Sequence, residues 1–147
     1  MKHIIALSII GLLLSVSVQV KSIAQQAPFT EGTVWEITYV RVKPGMGDDY
    51  LRSLSKTWKA SNEEAKKQGL ILSYKILSGD AANRDDWNLM LMTEHKNMAS
   101  LDGFDEKFRE ISTKIIGTED QQKNVMIKRI DMREILGGKQ VREIILK

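Results

Sequence analysis

Five residues carry side chains suited to chemistry at positions that strand patterns place inside a fold, namely His95, Glu36, Lys75, Asn88 and Tyr39. His95 is the candidate catalytic residue, because imidazole titrates near neutral pH and serves as a general base or a haem ligand. The other histidine of the sequence, His3, lies in the basic start of the N-terminal segment. The alternative role for His95 is that of a half-exposed residue capping the helix that follows.

Glu36 and Lys75 are charges in the middle of predicted strands. Each needs a partner if its face of the sheet is buried, because an unpaired buried charge is costly. The two could form an ion pair across the sheet or bind a ligand carboxylate or phenolate, and a solvent-exposed edge position is the other interpretation. Asn88 is a candidate for binding a polar substrate or for a dimer contact. Tyr39 suits an amphipathic core position whose hydroxyl reaches a partner, and it is also a ligand-binding candidate.

The composition excludes several classes of site. The sequence contains no cysteine, so the chain has no disulfide, no thiolate-bound metal and no Cys-x-x-Cys redox pair. His95 and scattered carboxylates do not make a zinc site, and we expect no metal and no cofactor. The sequence has no Gly-rich nucleotide motif, no GxSxG and no HExxH. The sequence has no cluster of basic residues and no aromatic RNA-binding signature, so we expect no nucleic-acid partner.

The first 24 residues have the pattern of a secretory signal peptide. A basic start, Met1-Lys2-His3, precedes an uncharged run over residues 4–18, and Ser22-Ile23-Ala24 offers small residues before a cleavage site. A membrane span needs about 20 apolar residues, so an uncleaved anchor is the less favoured alternative. Cleavage after Ala24 removes two lysines and no acid, which lowers the net charge from +3 to +1. We expect an exported protein, periplasmic or secreted, with no stable membrane span after cleavage.

After a flexible lead-in at 25–32, residue alternation and helical spacing predict one domain over residues 33–147. The predicted order is strand, helix, strand, strand, helix, a further helical segment and a last strand. This is the split βαβ arrangement of an α+β, ferredoxin-like domain with a four-stranded antiparallel sheet. The predicted strands are 33–42, 70–78, 86–95 and 140–146, and the predicted helices are 48–69, 98–115 and about 119–132. Around Gly137-Gly138, a hairpin between Ile135 and Val141 is the alternative to a helix, a turn and a strand.

The predicted sheet is apolar on both faces. Helices cover one face, and the other carries large apolar side chains beside polar ones. These apolar residues are Ile71, Leu77, Met90 and Met92. A second copy of the sheet is the simplest cover for such a face, so we expect a homodimer.

Two short motifs add to the element order: Val42-Lys43-Pro44-Gly45 before the first helix, and Thr93-Glu94-His95 between the third strand and the second helix. With them, residues 33–147 resemble the dimeric α+β barrel superfamily, which includes small antibiotic-biosynthesis-type monooxygenases. The resemblance implies dimers with sheets back to back and a cavity between sheet and helices in each subunit. The superfamily spans cofactor-free oxygenases, haem-degrading enzymes, isomerases, cyclases and many proteins without an assigned reaction, so fold alone does not give the activity.

These features predict an exported homodimer that binds a small, largely apolar or aromatic molecule in that cavity. Glu36, Tyr39, Lys75 and Asn88 are the candidate ligand-binding residues. One alternative is a cofactor-independent monooxygenase or isomerase in which His95 is catalytic. Another is a non-catalytic envelope accessory protein that acts through its dimer face.

Overall fold

The computed structural model describes residues 26–147, so the predicted signal peptide lies outside the described residues. The strands are β1 (Phe29–Val42), β2 (Ser73–Ser78), β3 (Leu89–His95) and β4 (Arg133–Leu146). The helices are α1 (Gly47–Leu54), α2 (Ala60–Lys67), α3 (Phe104–Ile116) and α4 (Glu119–Ile130). A π-helical turn at Ser55–Lys59 joins α1 to α2, and a 3₁₀ turn at Met98–Leu101 precedes α3.

The four strands form one antiparallel sheet in the order β2-β3-β1-β4. This arrangement confirms the predicted α+β, ferredoxin-like fold. β1 lies inside the sheet and pairs with β3 on one side and β4 on the other. Its alternation places Val34 and Val40, both fully buried, toward the helices, and Trp35, Ile37 and Tyr39 toward the opposite face. Two strands are shorter than predicted, since β2 begins at Ser73 and β3 at Leu89.

β1 begins within the segment that was predicted to be a flexible lead-in. Its first residues, Phe29 to Glu31, pair with Leu146 to Ile144 of β4. The register shifts between Glu31 and Val34, so the strand continues past an irregularity at Gly32. The lead-in prediction is therefore wrong from Phe29 onward. The sequence of this segment has no strand pattern of its own, but the long β4 strand pairs with it and so extends β1.

The C-terminal segment is one continuous strand. This confirms the predicted last strand over 140–146, whereas the predicted turn before it and the alternative hairpin are both wrong. Gly137 and Gly138 lie inside β4, opposite Tyr39 and Thr38 of β1. Gly137 has φ +145°, and a Cβ on Gly138 would come within 3.0 Å of the Ile37 carbonyl oxygen. The glycine pair thus permits a β-bulge and a close approach of two backbones rather than a hairpin turn.

One cluster of the core lies between the helical face of the sheet and the first helix. Tyr50 and Leu54 are each 1% exposed and pack with Val40, Leu89 and Leu91. The spacing of the apolar residues on the first predicted helix predicts one buried stripe, flanked by Tyr50, made of Leu51, Leu54, Trp58 and Ala65. Leu51, however, is 44% exposed. Tyr50, which precedes Leu54 by four residues and so lies on the same side of the helix, takes the buried position instead.

The face of the sheet away from the helices, here called the open face, carries Trp35, Ile37, Tyr39, Lys75, Leu77, Met90, Met92 and Val141. Leu77 and Val141 are 45% and 38% exposed. Ile71, which was expected on this face, precedes β2 and is buried with Ala65 and Ile111 on the helical side. No helix within residues 26–147 has the length and apolar character that a membrane crossing requires.

Candidate functional site

A cavity of about 420 Å³ lies between the sheet and the helices. Its floor comes from β1, β3 and β4, and its walls come from α3 and from the helix that contains the π-helical turn. Small-molecule sites usually measure about 300–1,000 Å³, so this cavity has the size of a ligand site. Its lining residues are Glu36, Ile37, Thr38, Trp58, Asn62, Leu91, Thr93, Phe104, Phe108, Gly138, Lys139 and Gln140.

Glu36 supplies a carboxylate to this cavity from the middle of β1. Its Oε2 atom lies 3.0 Å from Nε2 of His95, and its Oε1 atom accepts a 3.0 Å hydrogen bond from Nε2 of Gln140. Because an ionised carboxylate only accepts, Nε2 of His95 must donate. The hydrogen bond from His95 lowers the pKa of Glu36, burial opposes this change, and the bond from Gln140 lowers the pKa further. Glu36 is therefore an oriented anion at neutral pH, with its side chain 37% exposed.

His95 lies behind Glu36 rather than at the mouth of the cavity. Its side chain is fully buried, and its ring meets the Phe104 ring edge-on at a centroid distance of 4.8 Å. Its Nδ1 atom has no hydrogen-bond partner among the described residues. The side chain of Asn97, not that of His95, caps the following 3₁₀ turn. The prediction of a half-exposed capping residue is thus wrong, and His95 serves to hold the Glu36 carboxylate in place.

The helical walls of the cavity are aromatic. Phe104 and Phe108 stack with centroids 5.3 Å apart, and Trp58 meets Tyr74 edge-on at 5.3 Å. Trp58 belongs to the π-helical turn, a type of irregularity that occurs often at functional sites. Trp58, Phe104 and Phe108 thus give the cavity an apolar, aromatic surface beside the Glu36 carboxylate.

Asn62 is a site residue that sequence reasoning missed. It is 1% exposed, its Nδ2 atom donates to the Trp58 carbonyl at 2.8 Å, and its Oδ1 atom lies 3.5 Å from Thr93 Oγ1. One signal was available, because Asn62 follows Trp58 by four residues and so lies on the same side of the helix. A polar residue on a buried helical stripe indicates either a local hydrogen bond or a site, and here it lines the cavity.

Three of the predicted site residues lie elsewhere. Asn88 donates from Nδ2 to the Val42 carbonyl at 3.0 Å and accepts from the Val42 N–H at 2.8 Å, so it extends the pairing of β1 with β3. Lys75 is exposed on the open face, with Nζ 4.1 Å from the Trp35 ring centroid. Tyr39 is also on that face, and its ring lies 6.2 Å from Trp87. Glu36 and Lys75 therefore point to opposite faces and form no ion pair.

The described residues contain no group of three or more His, Asp or Glu side chains close enough to hold a metal ion. The side chains that face the cavity provide one carboxylate, several amide and hydroxyl groups and aromatic walls. Lys139 also lines the cavity, but it pairs with Ile37, so alternation directs its side chain to the open face. Such a set of side chains can accept hydrogen bonds from a ligand and can neutralise one positive charge.

Comparisons with known proteins give distant likenesses of fold. No protein-family description and no curated protein matches the chain. A dimeric protein of unknown function with a ferredoxin-like fold from Bacteroides fragilis is 13% identical, with 81% of this chain and 99% of that chain covered and a TM-score of 0.38. A NipSnap family protein of unknown function from Agrobacterium tumefaciens is 13% identical, with 79% and 90% covered and a TM-score of 0.43. The narrower resemblance to antibiotic-biosynthesis-type monooxygenases stays a prediction.

Proposed function

We propose that the protein binds a small, largely apolar or aromatic molecule that carries a positive charge or a hydrogen-bond donor. The observation that carries this proposal is the Glu36 carboxylate, which His95 and Gln140 fix inside an aromatic-walled cavity. An aryl amine fits this arrangement, because its ring would contact Phe104, Phe108 and Trp58 while its ammonium pairs with the carboxylate.

Proton-transfer chemistry of the isomerase or oxygenase kind is the second candidate, since a carboxylate paired with a histidine lies at the cavity. The lowered pKa of Glu36 counts against it. A general base works best when its pKa lies near the operating pH, and the hydrogen bond from His95 moves that of Glu36 in the other direction. His95 itself is fully buried, and its Nε2–H group already donates a hydrogen bond to Glu36. The geometry therefore supports binding better than catalysis.

We also propose that the chain acts as a homodimer through the open face. Large apolar side chains are exposed there on a sheet whose other side is already covered, and a second sheet would remove them from water. Val141→Asp should shift the protein from dimer to monomer in sedimentation experiments. Ile127→Asp, an equally apolar position that is 50% exposed on α4, is the matched control and should stay dimeric. A Val141→Asp protein that remains dimeric would contradict an interface at this face.

Export remains part of the proposal and is supported by the signal-peptide pattern of residues 1–24. Mass measurement of protein from the envelope fraction of its own host tests it. A mature chain that begins at Gln25 is expected. A chain that keeps residues 1–24 would overturn the cleavage proposal and indicate membrane tethering.

The binding proposal is tested with phenethylamine, 2-phenylethanol and phenylacetate, which share a ring and differ in charge. We expect the wild-type protein to bind phenethylamine at least about tenfold more tightly than phenylacetate, as judged by calorimetry. Glu36→Gln should remove this preference, because the variant lacks the negative charge. Glu110→Gln makes the same substitution at an exposed position on α3, and this variant should keep the preference for phenethylamine. Equal affinity for the three compounds, or an unchanged preference in Glu36→Gln, would overturn the proposal.

A further inference from the structure

A second cavity, of about 200 Å³, lies among the three helical segments that cover the sheet. Thr57, Trp58 and Ser61 come from the first helical segment, and α3 and α4 complete the walls. Trp58 and Phe108 line this cavity and the larger one, so the two are neighbours that share an aromatic wall. The chemical character of the second cavity differs, because its charged residue is Arg129 rather than a carboxylate.

Arg129 is 8% exposed, and its hydrogen-bond partners among the described residues include no acid. Its Nε atom donates to Ser53 Oγ at 3.0 Å, and Nη2 donates to the Ser53 carbonyl at 3.2 Å and to Thr57 Oγ1. These acceptors are all neutral. Nη1 makes no hydrogen bond within residues 26–147, and no carboxylate there forms an ion pair with Arg129. A buried guanidinium without a counter-ion is costly.

Other polar groups near Arg129 also lack partners for their charge or their hydrogen bonds. Arg133, only 9% exposed, also has no ion-pair partner among the described residues, and its Nε atom is buried without a hydrogen bond. Burial lowers the pKa of Arg129, Tyr50 opposes this change, and Arg133 adds to it. The hydroxyl of Ser61, a residue 2% exposed that lines the cavity, likewise has no hydrogen-bond partner in this part of the chain.

We propose that this second cavity binds a small monocarboxylate with an apolar tail, its carboxylate paired with Arg129 and hydrogen-bonded by Ser61. An arginine can hold a carboxylate through two parallel hydrogen bonds, and Nη1 is open for one of them. Ile116, Val125 and Met126 supply the apolar surface for the tail. A single lining cation and a limited volume match a singly charged ligand rather than a phosphate dianion.

The test compares hexanoate with 1-hexanol, which have the same tail length and differ in charge, by calorimetry on the purified protein. Hexanoate should bind at least about tenfold more tightly than hexanol. Arg129→Gln should abolish this difference, whereas Arg52→Gln, the same change at an exposed position on α1, should preserve it. Glu36→Gln should leave hexanoate binding unchanged, which separates this site from the proposed aryl-amine site.

Arg129 also joins α4 to the first helical segment, so Arg129→Gln could fail to fold. Ser61→Ala and Ser112→Leu then decide the question, because the first removes a proposed hydrogen bond and the second fills the cavity from α3. Ser61→Ala should weaken hexanoate binding severalfold, and Ser112→Leu should abolish it. Equal binding of hexanoate and hexanol to the wild-type protein, or full hexanoate affinity in Ser112→Leu, would overturn the proposal.

Discussion

Glu36 and His95 are 59 residues apart in the sequence, and their Oε2 and Nε2 atoms lie 3.0 Å apart in the structure. The two residues sit on neighbouring strands, where Val34 is opposite His95 and Glu36 is opposite Thr93. The hydrogen bond is thus a diagonal contact on the helical face of the sheet. It gives the cavity an anion whose position and charge are both set by the fold.

Glu36→Gln should make the protein less sensitive to acid. A group whose pKa is lowered by folding stabilises the native state above its unfolded value and loses that contribution as pH falls through the folded value. Glu36 has such a pKa, below the ordinary 4.5. Urea unfolding at neutral pH and at about pH 3 should therefore show a smaller loss of stability in Glu36→Gln than in wild type. Glu110→Gln is the control, and an identical loss in Glu36→Gln and wild type would contradict this role.

Asn88→Ala should destabilise the protein without affecting ligand binding. The substitution leaves the N–H and carbonyl of Val42 without the two bonds that the Asn88 amide makes. A lost partner of this kind costs about 1–3 kcal/mol. Asn124→Ala, at an exposed position on α4, should change the free energy of unfolding by less than about 0.5 kcal/mol. If a folded Asn88→Ala protein bound phenethylamine more weakly than wild type, Asn88 would instead contribute to ligand binding.

Tyr74 should ionise late in an alkaline titration. Burial raises its pKa to about 12, and the hydrogen bond that its hydroxyl donates to Glu63 adds to the rise. The stability that this raised pKa contributes is present below pH 10 and is lost as pH rises toward 12. Ultraviolet titration of phenolate should show a late step that Tyr74→Phe removes and Tyr39→Phe retains. A late step that survives in Tyr74→Phe would contradict the assignment.

Leu54→Ala should be strongly destabilising and Leu51→Ala should not. Leu54 is 1% exposed and packs against the helical face of the sheet, so its truncation leaves a cavity that costs about 2–5 kcal/mol. Leu51, three residues earlier on the same helix, is 44% exposed. Urea unfolding of the two variants compares the same chemical change at two depths. Equal losses of unfolding free energy in the two variants would indicate that Leu51 is buried, as its spacing in the sequence predicts.

The order of elements was predictable because it depends on local patterns. Residue alternation in β1 and spacing of three and four in α3 are visible without knowledge of a partner. The resemblance to the dimeric α+β barrel superfamily implied a cavity between sheet and helices, and Glu36 was identified as a charged strand residue that needs a partner. Its partner His95 was identified as well, but not the contact between them.

What could not be predicted depends on contacts between distant segments. Gly137 and Gly138 are typical of a turn in isolation, and only the neighbouring β1 backbone explains them within a strand. The burial of His95 depends on Phe104, which the following segment supplies. Arg129 lies on α4 among polar residues that suggest a solvated helix, and its burial becomes clear only when Ser53 and Thr57 are placed beside it.

The length of β4 has a consequence for self-association. Within residues 26–147 its outer edge pairs with no other strand, although the strand runs for 14 residues. Such an unpaired edge can form backbone hydrogen bonds with an extended segment of another chain. Lys139, Arg142 and Glu143 interrupt its apolar residues with charge, and these side chains act as gatekeepers against fibrous growth while Ile144 and Ile145 stay half exposed.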